Sequence, residues 1–247
     1  MPSRLIPYMK VVVHLLCLWP FVYLLEQFRS GALGLMADPI LSITHLTGDW
    51  ALWILLLSLA VTPVRRLSPA LLNLIRFRRM VGLYAFFYAS LHLATYVFLF
   101  SGYDLQAALA GLKQGHPGAL WTQWTEIWPT VLADLQKRRF IQVGLLAYVL
   151  LLALAITSPT VMLRKLGGKN WQRLHRLVYV AAAAACVHYW WLVKAGVRTP
   201  APDTVILAIL FVARIVWLLY KRARKPTRAA VAARPASSVI VKTPTVT

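Results

Sequence analysis

The sequence predicts an all-α integral membrane protein built as a six-helix transmembrane bundle, and three observations carry that prediction. Of its 247 residues 60% are apolar, with a mean hydropathy of +0.64. The apolar residues form long uncharged runs, and the 27 Lys and Arg, against 7 Asp and Glu, gather between the runs instead of along them. The runs also lack the period-two alternation of a membrane β-barrel. A soluble nucleic-acid binder with a net charge of +20 would interleave its bases on amphipathic faces, so that class is excluded. Two cysteines, Cys17 and Cys186, cannot build a disulfide scaffold.

A hydrocarbon core of about 30 Å takes roughly 20 apolar residues at about 1.5 Å of rise each. The first span is predicted over residues 9–25. Arg4 and Lys10 before it mimic a signal peptide, but no small-x-small cleavage pattern follows and five more runs come later, so an uncleaved helix is expected. The second, starting at residue 46 or 50 and ending at 64, is the shortest. Gly48 and Asp49 interrupt its start, Pro63 closes it and Arg65 and Arg66 stop it, leaving about 15 clean residues. The third covers residues 80–100, the fourth 140–157, the fifth 174–193 and the sixth 204–220.

Residues 101–139 form the one long connection, with Trp121, Trp124 and Trp128 at helical spacing before Pro129. That pattern predicts an amphipathic segment in the membrane interface, its indoles at headgroup level; a docking surface for an extracytoplasmic partner is the alternative. Residues 1–220 read as one transmembrane domain. Residues 221–247 read as a basic tail, rich in Ala, Pro, Arg and Ser, without periodicity and expected to be disordered. Neither an internal repeat nor a phosphate-binding Gly-rich loop is expected.

Six spans put both termini on one side, and that side collects 18 Lys and Arg while the other has 7. The positive-inside rule then predicts cytoplasmic termini in a bacterial inner membrane. All seven acids fall on the outer side, with none inside a clear span. Arg176 and Arg214 lie within spans, and Arg214 is close enough to the inner end to snorkel there.

Ionisable residues inside spans are costly and mark functional sites by default, which singles out the histidines. His92 lies 13 residues past Arg79 in the third span and His188 lies 15 past Arg173 in the fifth. Both spans run in the same direction, so the two imidazoles sit roughly 20 and 22 Å from the cytoplasmic edge, at one level. A b-type haem ligated by His92 and His188 is the economical assignment. Interhelical hydrogen bonding is the plainer alternative, while a zinc or transport path would want acids or cysteines at midplane.

His175, near the cytoplasmic lip, could ligate a second haem, with an interfacial base beside Arg173 and Arg176 as the alternative. Thirteen residues leave His175 and His188 about 140° apart around a regular helix, so stacking two cofactors needs overwinding, a bulge or different partner helices. Arg79, Arg173 and Arg176 suit haem propionates or a flavin phosphate, and positive-inside anchoring explains them as well. His14 is read as a packing residue, and His45 and His116 as solvated loop residues.

The stretch from Arg78 to His92 (RRMVGLYAFFYASLH), that from Leu59 to Arg66 (LAVTPVRR), and the runs Trp171 to Tyr179 (WQRLHRLVY) and Val187 to Lys194 (VHYWWLVK) resemble the MsrQ family, also called YedZ. Asp134 to Gly144 (DLQKRRFIQVG) and Ala155 to Ser158 (AITS) add family-like pieces, so the resemblance covers about residues 10–220. Departures are the long outer connection, Arg139-Phe140 in place of an Arg-Pro-Tyr run, and the basic tail. The resemblance implies a ferric reductase-like membrane subunit, itself without the sulfoxide-reducing site. It implies electrons taken from the quinone pool or a cytoplasmic flavin reductase and passed by b-type haem. Their destination is a periplasmic molybdopterin subunit (MsrP-like) that repairs methionine sulfoxide. It also implies FMN, for which these residues show no motif, and haem histidines at His92, His175 and His188.

Two other readings stay open on the residues: a self-contained membrane ferric or quinone reductase, and a non-redox assembly module or transporter. The first would need a dehydrogenase from another chain, since nothing after Tyr220 reads as an NADPH- or FAD-binding domain.

Overall fold

A computed structural model describes residues 5–35 and 37–224. Helices account for nearly all of the described residues: α1 (Ile6–Arg29), α2 (Pro39–Val64), α3 (Ile75–Thr95), α4 (Leu105–Lys113), α5 (Gly118–Lys137), α6 (Arg139–Ile156), α7 (Thr160–Leu174), α8 (Val178–Leu192) and α9 (Ala201–Ala223). The tail expected to be disordered lies outside them, apart from residues 221–224, which finish α9 and its turn. Five segments are long and apolar enough to cross a membrane: Ile6–Arg29, Pro39–Val64, Pro69–Phe100, Arg139–Ile156 and Ala201–Ala223. Their outward faces carry large exposed apolar residues, such as Leu15, Leu16 and Trp19 on α1, which is the surface a lipid solvent requires.

The expected fifth span differs. It is a 3₁₀ turn, His175–Leu177, followed by the 15 residues of α8. At about 1.5 Å per α-helical and about 2.0 Å per 3₁₀ residue the composite rises about 28 Å, close to the core thickness although α8 alone falls short.

The second span is corrected in the opposite sense. Expected to be the shortest, α2 is a 26-residue helix that runs through Gly48 and Asp49 and keeps Pro63 in its last turn. Asp38 caps it by accepting from Leu41 N–H at 2.9 Å, with Pro39 in the first turn. Neither interruption breaks the helix, because each has a tertiary use. Gly48 sits under an imidazole of α3, and Asp49 hydrogen-bonds with Tyr189 of α8. Asp203, in the first turn of α9, is buried and accepts from Trp53 Nε1–H at 3.1 Å. Two acids that are not exposed thus lie inside apolar helices, against the expectation of none, each with a donor that offsets its desolvation. His45 is likewise within α2, half-buried, instead of in a loop.

Helix pairing within residues 5–210 follows two hairpins, α2 against α3 and α6 against α8, with α3 touching α6 and α2 touching α8 between them. The core holds Leu55 and Leu59 of α2, Ala85 and Tyr88 of α3, Ala147 of α6, and Ala181 and Ala182 of α8. The alanine run of α8 keeps its backbone close to α6, the usual device for joining helices in lipid. The most deeply buried fastening of helix α1 to α3 is made by Tyr88. The Tyr88 hydroxyl donates to the Cys17 carbonyl at 2.7 Å and accepts from Phe21 N–H at 3.1 Å, two groups that a regular helix would pair with each other. Pro20 between them lacks an N–H, and the hydroxyl inserted at that point keeps the backbone satisfied.

The long connection over residues 101–139 is a helical hairpin. Asp104 caps α4 by accepting from Ala107 N–H, and α4 folds onto α5 around Tyr103, Ala108 and Ile127. The three tryptophans separate: Trp124 packs on that small core while Trp121 and Trp128 stay exposed. A cleft of about 390 Å³ opens beside Trp121 and Trp124.

Candidate functional site

His92 projects from the last turns of α3 and His188 from those of α8, and the structure brings the two rings together with centroids 6.0 Å apart and planes at 81°. Each imidazole is tied from behind in the same way. His92 Nδ1 lies 3.1 Å from the Thr44 carbonyl of α2, and His188 Nδ1 lies 2.7 Å from the Phe140 carbonyl of α6. A carbonyl can only accept, so Nδ1 carries the hydrogen in both rings and Nε2 keeps its lone pair.

The carbonyls are reachable because of two glycines. On a helix the carbonyl of residue i is overlaid by the side chain at i+4, and the residues four after Thr44 and Phe140 are Gly48 and Gly144. A Cβ on Gly144 would lie 2.6 Å from His188 Nδ1, and one on Gly48 would lie 3.1 Å from His92 Nδ1. The rings rest where those side chains would be.

The arrangement occurs twice, and so does its sequence. Carbonyl and histidine are 48 residues apart in both cases. Gly48 and Gly144, Pro63 and Pro159, and His92 and His188 are all related by an offset of 96, and Thr62 matches Ser158. The expectation of no internal repeat is therefore corrected. Few identities survive in the repeat, and the only ones with evident function are the glycine and histidine that touch. These glycines were missed as site residues because a glycine inside an apolar run reads as an interruption; the shared spacing was the signal that could have found them.

At the inner level the same offset places Arg79 opposite His175. Arg79 Nε–H donates to Ser158 Oγ at 2.9 Å, while His175 Nε2 lies 3.3 Å from Thr157 Oγ1, so consecutive residues at the end of α6 hold both. Trp171 stacks on His175 with centroids 3.8 Å apart and donates from Nε1–H to the Thr157 carbonyl at 2.8 Å. No second histidine meets His175 among the described residues.

The 3₁₀ turn at His175 bears on its direction. Three residues at about 120° instead of about 100° each add about 60°, reducing the offset from His188 to about 80°. Arg173, ending α7, and Arg176, inside the 3₁₀ turn, are exposed and form no ion pair among the described residues. His14 is exposed, with its ring edge against Tyr84 and a hydrogen bond to that hydroxyl, and His116 is exposed.

Two helix hairpins that each aim a backed imidazole at the other define a ferric reductase-like membrane protein, and residues 47–186 match the family model described as "Ferric reductase like transmembrane component". The chain is 41% identical over 234 residues to the protein-methionine-sulfoxide reductase heme-binding subunit MsrQ of Xanthomonas campestris pv. campestris (strain 8004), covering 92% of this chain and 94% of that one. MsrQ of Xanthomonas axonopodis pv. citri (strain 306) is 42% identical over 217 residues, 86% of each chain. MsrQ of Herminiimonas arsenicoxydans is 42% identical over 219 residues, 87% of this chain and 88% of that one. The chain belongs to the MsrQ family.

Proposed function

We propose that this chain is the membrane electron-transfer subunit of a methionine sulfoxide reductase system, holding a b-type haem between His92 and His188. The observation that carries the reading is the pair of facing imidazoles with both Nδ1 hydrogens committed to carbonyls. Two metal–nitrogen bonds of about 2 Å plus two ring half-widths of about 1 Å span about 6 Å, so a 6.0 Å centroid separation fits one iron between the rings. Bound there, a haem would supply one-electron relay across the low-dielectric interior. The chain's own part is positional. Thr44 and Phe140 fix the tautomer and enrich the ligand nitrogens, and Gly48 and Gly144 let the Nδ1 edge of each ring approach α2 and α6 closely.

Around His175 the chain supplies one imidazole and the cations Arg79, Arg173 and Arg176. These residues would hold a second haem by its propionates or a flavin by its phosphate. Electrons would enter on this side, from the quinone pool or a cytoplasmic flavin reductase, and leave at the outer side to a periplasmic molybdopterin-containing MsrP-like subunit. The aromatic cleft between Tyr103 and Trp124 supplies an outer face for that partner. The basic loops support an inner-membrane orientation with both termini cytoplasmic and α8, extended by its 3₁₀ turn, as the sixth crossing.

The test is the reduced-minus-oxidised spectrum of detergent-purified protein. A b-type difference spectrum is expected, and its loss in a His92→Ala, His188→Ala double variant. An unchanged spectrum in that variant would remove the ligand assignment. Haem and flavin stoichiometry on the same material separates one haem from two, and flavin at one per chain would assign the inner cations to its phosphate.

A further inference from the structure

Between α1 and α3 lies a cleft of about 660 Å³ that the facing-histidine site does not use. Its walls are graded along the helix axes. At one end Lys10 of α1 meets Arg76 and Arg79 of α3. One turn further in, His14 and Tyr84 are hydrogen-bonded at 2.7 Å. Beyond them come Leu18, Leu83 and Phe87. Lys10, His14 and Leu18 follow one another at four-residue spacing, so a single stripe of α1 presents cation, imidazole and hydrocarbon in order.

Among the described residues no acid lines the cleft, and the ion pairs, Glu26 with Arg29 and Asp134 with Arg138, lie elsewhere. Among the described residues Arg79 is hydrogen-bonded through Nε–H to Ser158 Oγ, which aims the guanidinium and leaves its terminal amino groups to face the cleft. His14 is exposed on an apolar helix with one ring nitrogen bonded to Tyr84, a costly way to meet hydrocarbon unless a polar group covers the other.

We propose that this cleft binds an anionic phospholipid of the phosphatidylglycerol class. The phosphate sits against Lys10, Arg76 and Arg79, the ester carbonyls at the level of His14 and Tyr84, and an acyl chain along Leu18, Leu83 and Phe87. Charge decides among membrane amphiphiles. A zwitterionic lipid would bring an ammonium group among three cations, and a neutral quinone would leave all three without a counter-charge. A free phosphate would leave the apolar inner end uncovered. The proposal does not depend on the haem between His92 and His188; it shares only Arg79 with the proposed site around His175, and its test leaves Arg79 in place.

Native mass spectrometry of the full chain in mild detergent tests it, after incubation with equal amounts of phosphatidylglycerol, phosphatidylcholine, FMN and inorganic phosphate. One phosphatidylglycerol per chain is expected to be retained in preference to phosphatidylcholine. At roughly fivefold per cation removed, a Lys10→Gln, Arg76→Gln double variant should retain about 25-fold less. An Arg164→Gln, Lys165→Gln double variant, which removes the same charge outside the cleft, should match the parent. Where the first variant fails to fold, Leu83→Trp, which fills the inner end without altering charge, should give the same loss. Equal retention of the two lipids, equal loss in both charge variants, or FMN or phosphate held in place of lipid would each overturn the proposal.

Discussion

An imidazole offers two nitrogens, and which of them is free to bind is settled by what the other one does. In both His92 and His188 the answer is a helix carbonyl uncovered by a glycine four residues later. This makes the glycines graded probes of the site. Gly144→Ala should disturb it most, because its Cβ would intrude to 2.6 Å on His188 Nδ1. Gly48→Ala, at 3.1 Å, should disturb it less, and Gly82→Ala, whose Cβ would meet Ser58 Oγ at an ordinary 3.4 Å, should be silent. Haem content and midpoint potential measured across the three variants check the order, and a Gly144→Ala protein identical to the parent would contradict it. The histidine level was legible in the sequence, since rise per residue converts a residue count into depth. Which way each ring faces was not, because azimuth depends on the helix packed behind it.

At the scale of elements, proline and glycine within apolar runs are where sequence and structure part. Pro63 and Gly48 read as breaks, yet α2 is continuous: Pro63 forgoes one backbone hydrogen bond just before the helix stops at Arg65, and Gly48 is covered by a neighbour's ring. Pro20 is the informative case, for the hydroxyl of Tyr88 takes over the backbone groups around it. Tyr88→Phe should leave Cys17 O and Phe21 N without that partner and destabilise the α1–α3 contact by about 1–3 kcal/mol. The measurement is the apparent melting temperature in detergent. Tyr23→Phe, which loses only an exposed bond from Gln27, should show no such drop. The kink in α7 follows the ordinary rule: Gly167 adopts φ +72°, which a side chain would resist. It was not foreseen, because residues 158–173 read simply as a basic loop.

At the scale of the whole molecule, orientation rests on counting charges, and the count is lopsided enough to test directly. In an otherwise cysteine-free chain, Arg164→Cys should react with a membrane-impermeant thiol reagent only after the cells are opened, and Gly115→Cys in intact cells. The opposite pattern would reverse the proposed topology and with it the proposed direction of electron flow.

The amino-acid order alone determined the lipid solvent, five of the long helices, the basic face and the common depth of two histidines. Each of these follows from local composition or from distance along one helix, so no knowledge of neighbours is needed. The three-dimensional arrangement decided what no single helix contains. It made α2 a full helix, turned His92 and His188 toward each other, and set Lys10 and His14 across from Arg76 and Tyr84. The physical reason is that a side chain's partner in a bundle is chosen by rotation about the helix axis and by which helix lies against it. Both are properties of packing, where a missing Cβ or an inserted hydroxyl counts for as much as the residues that make up the run.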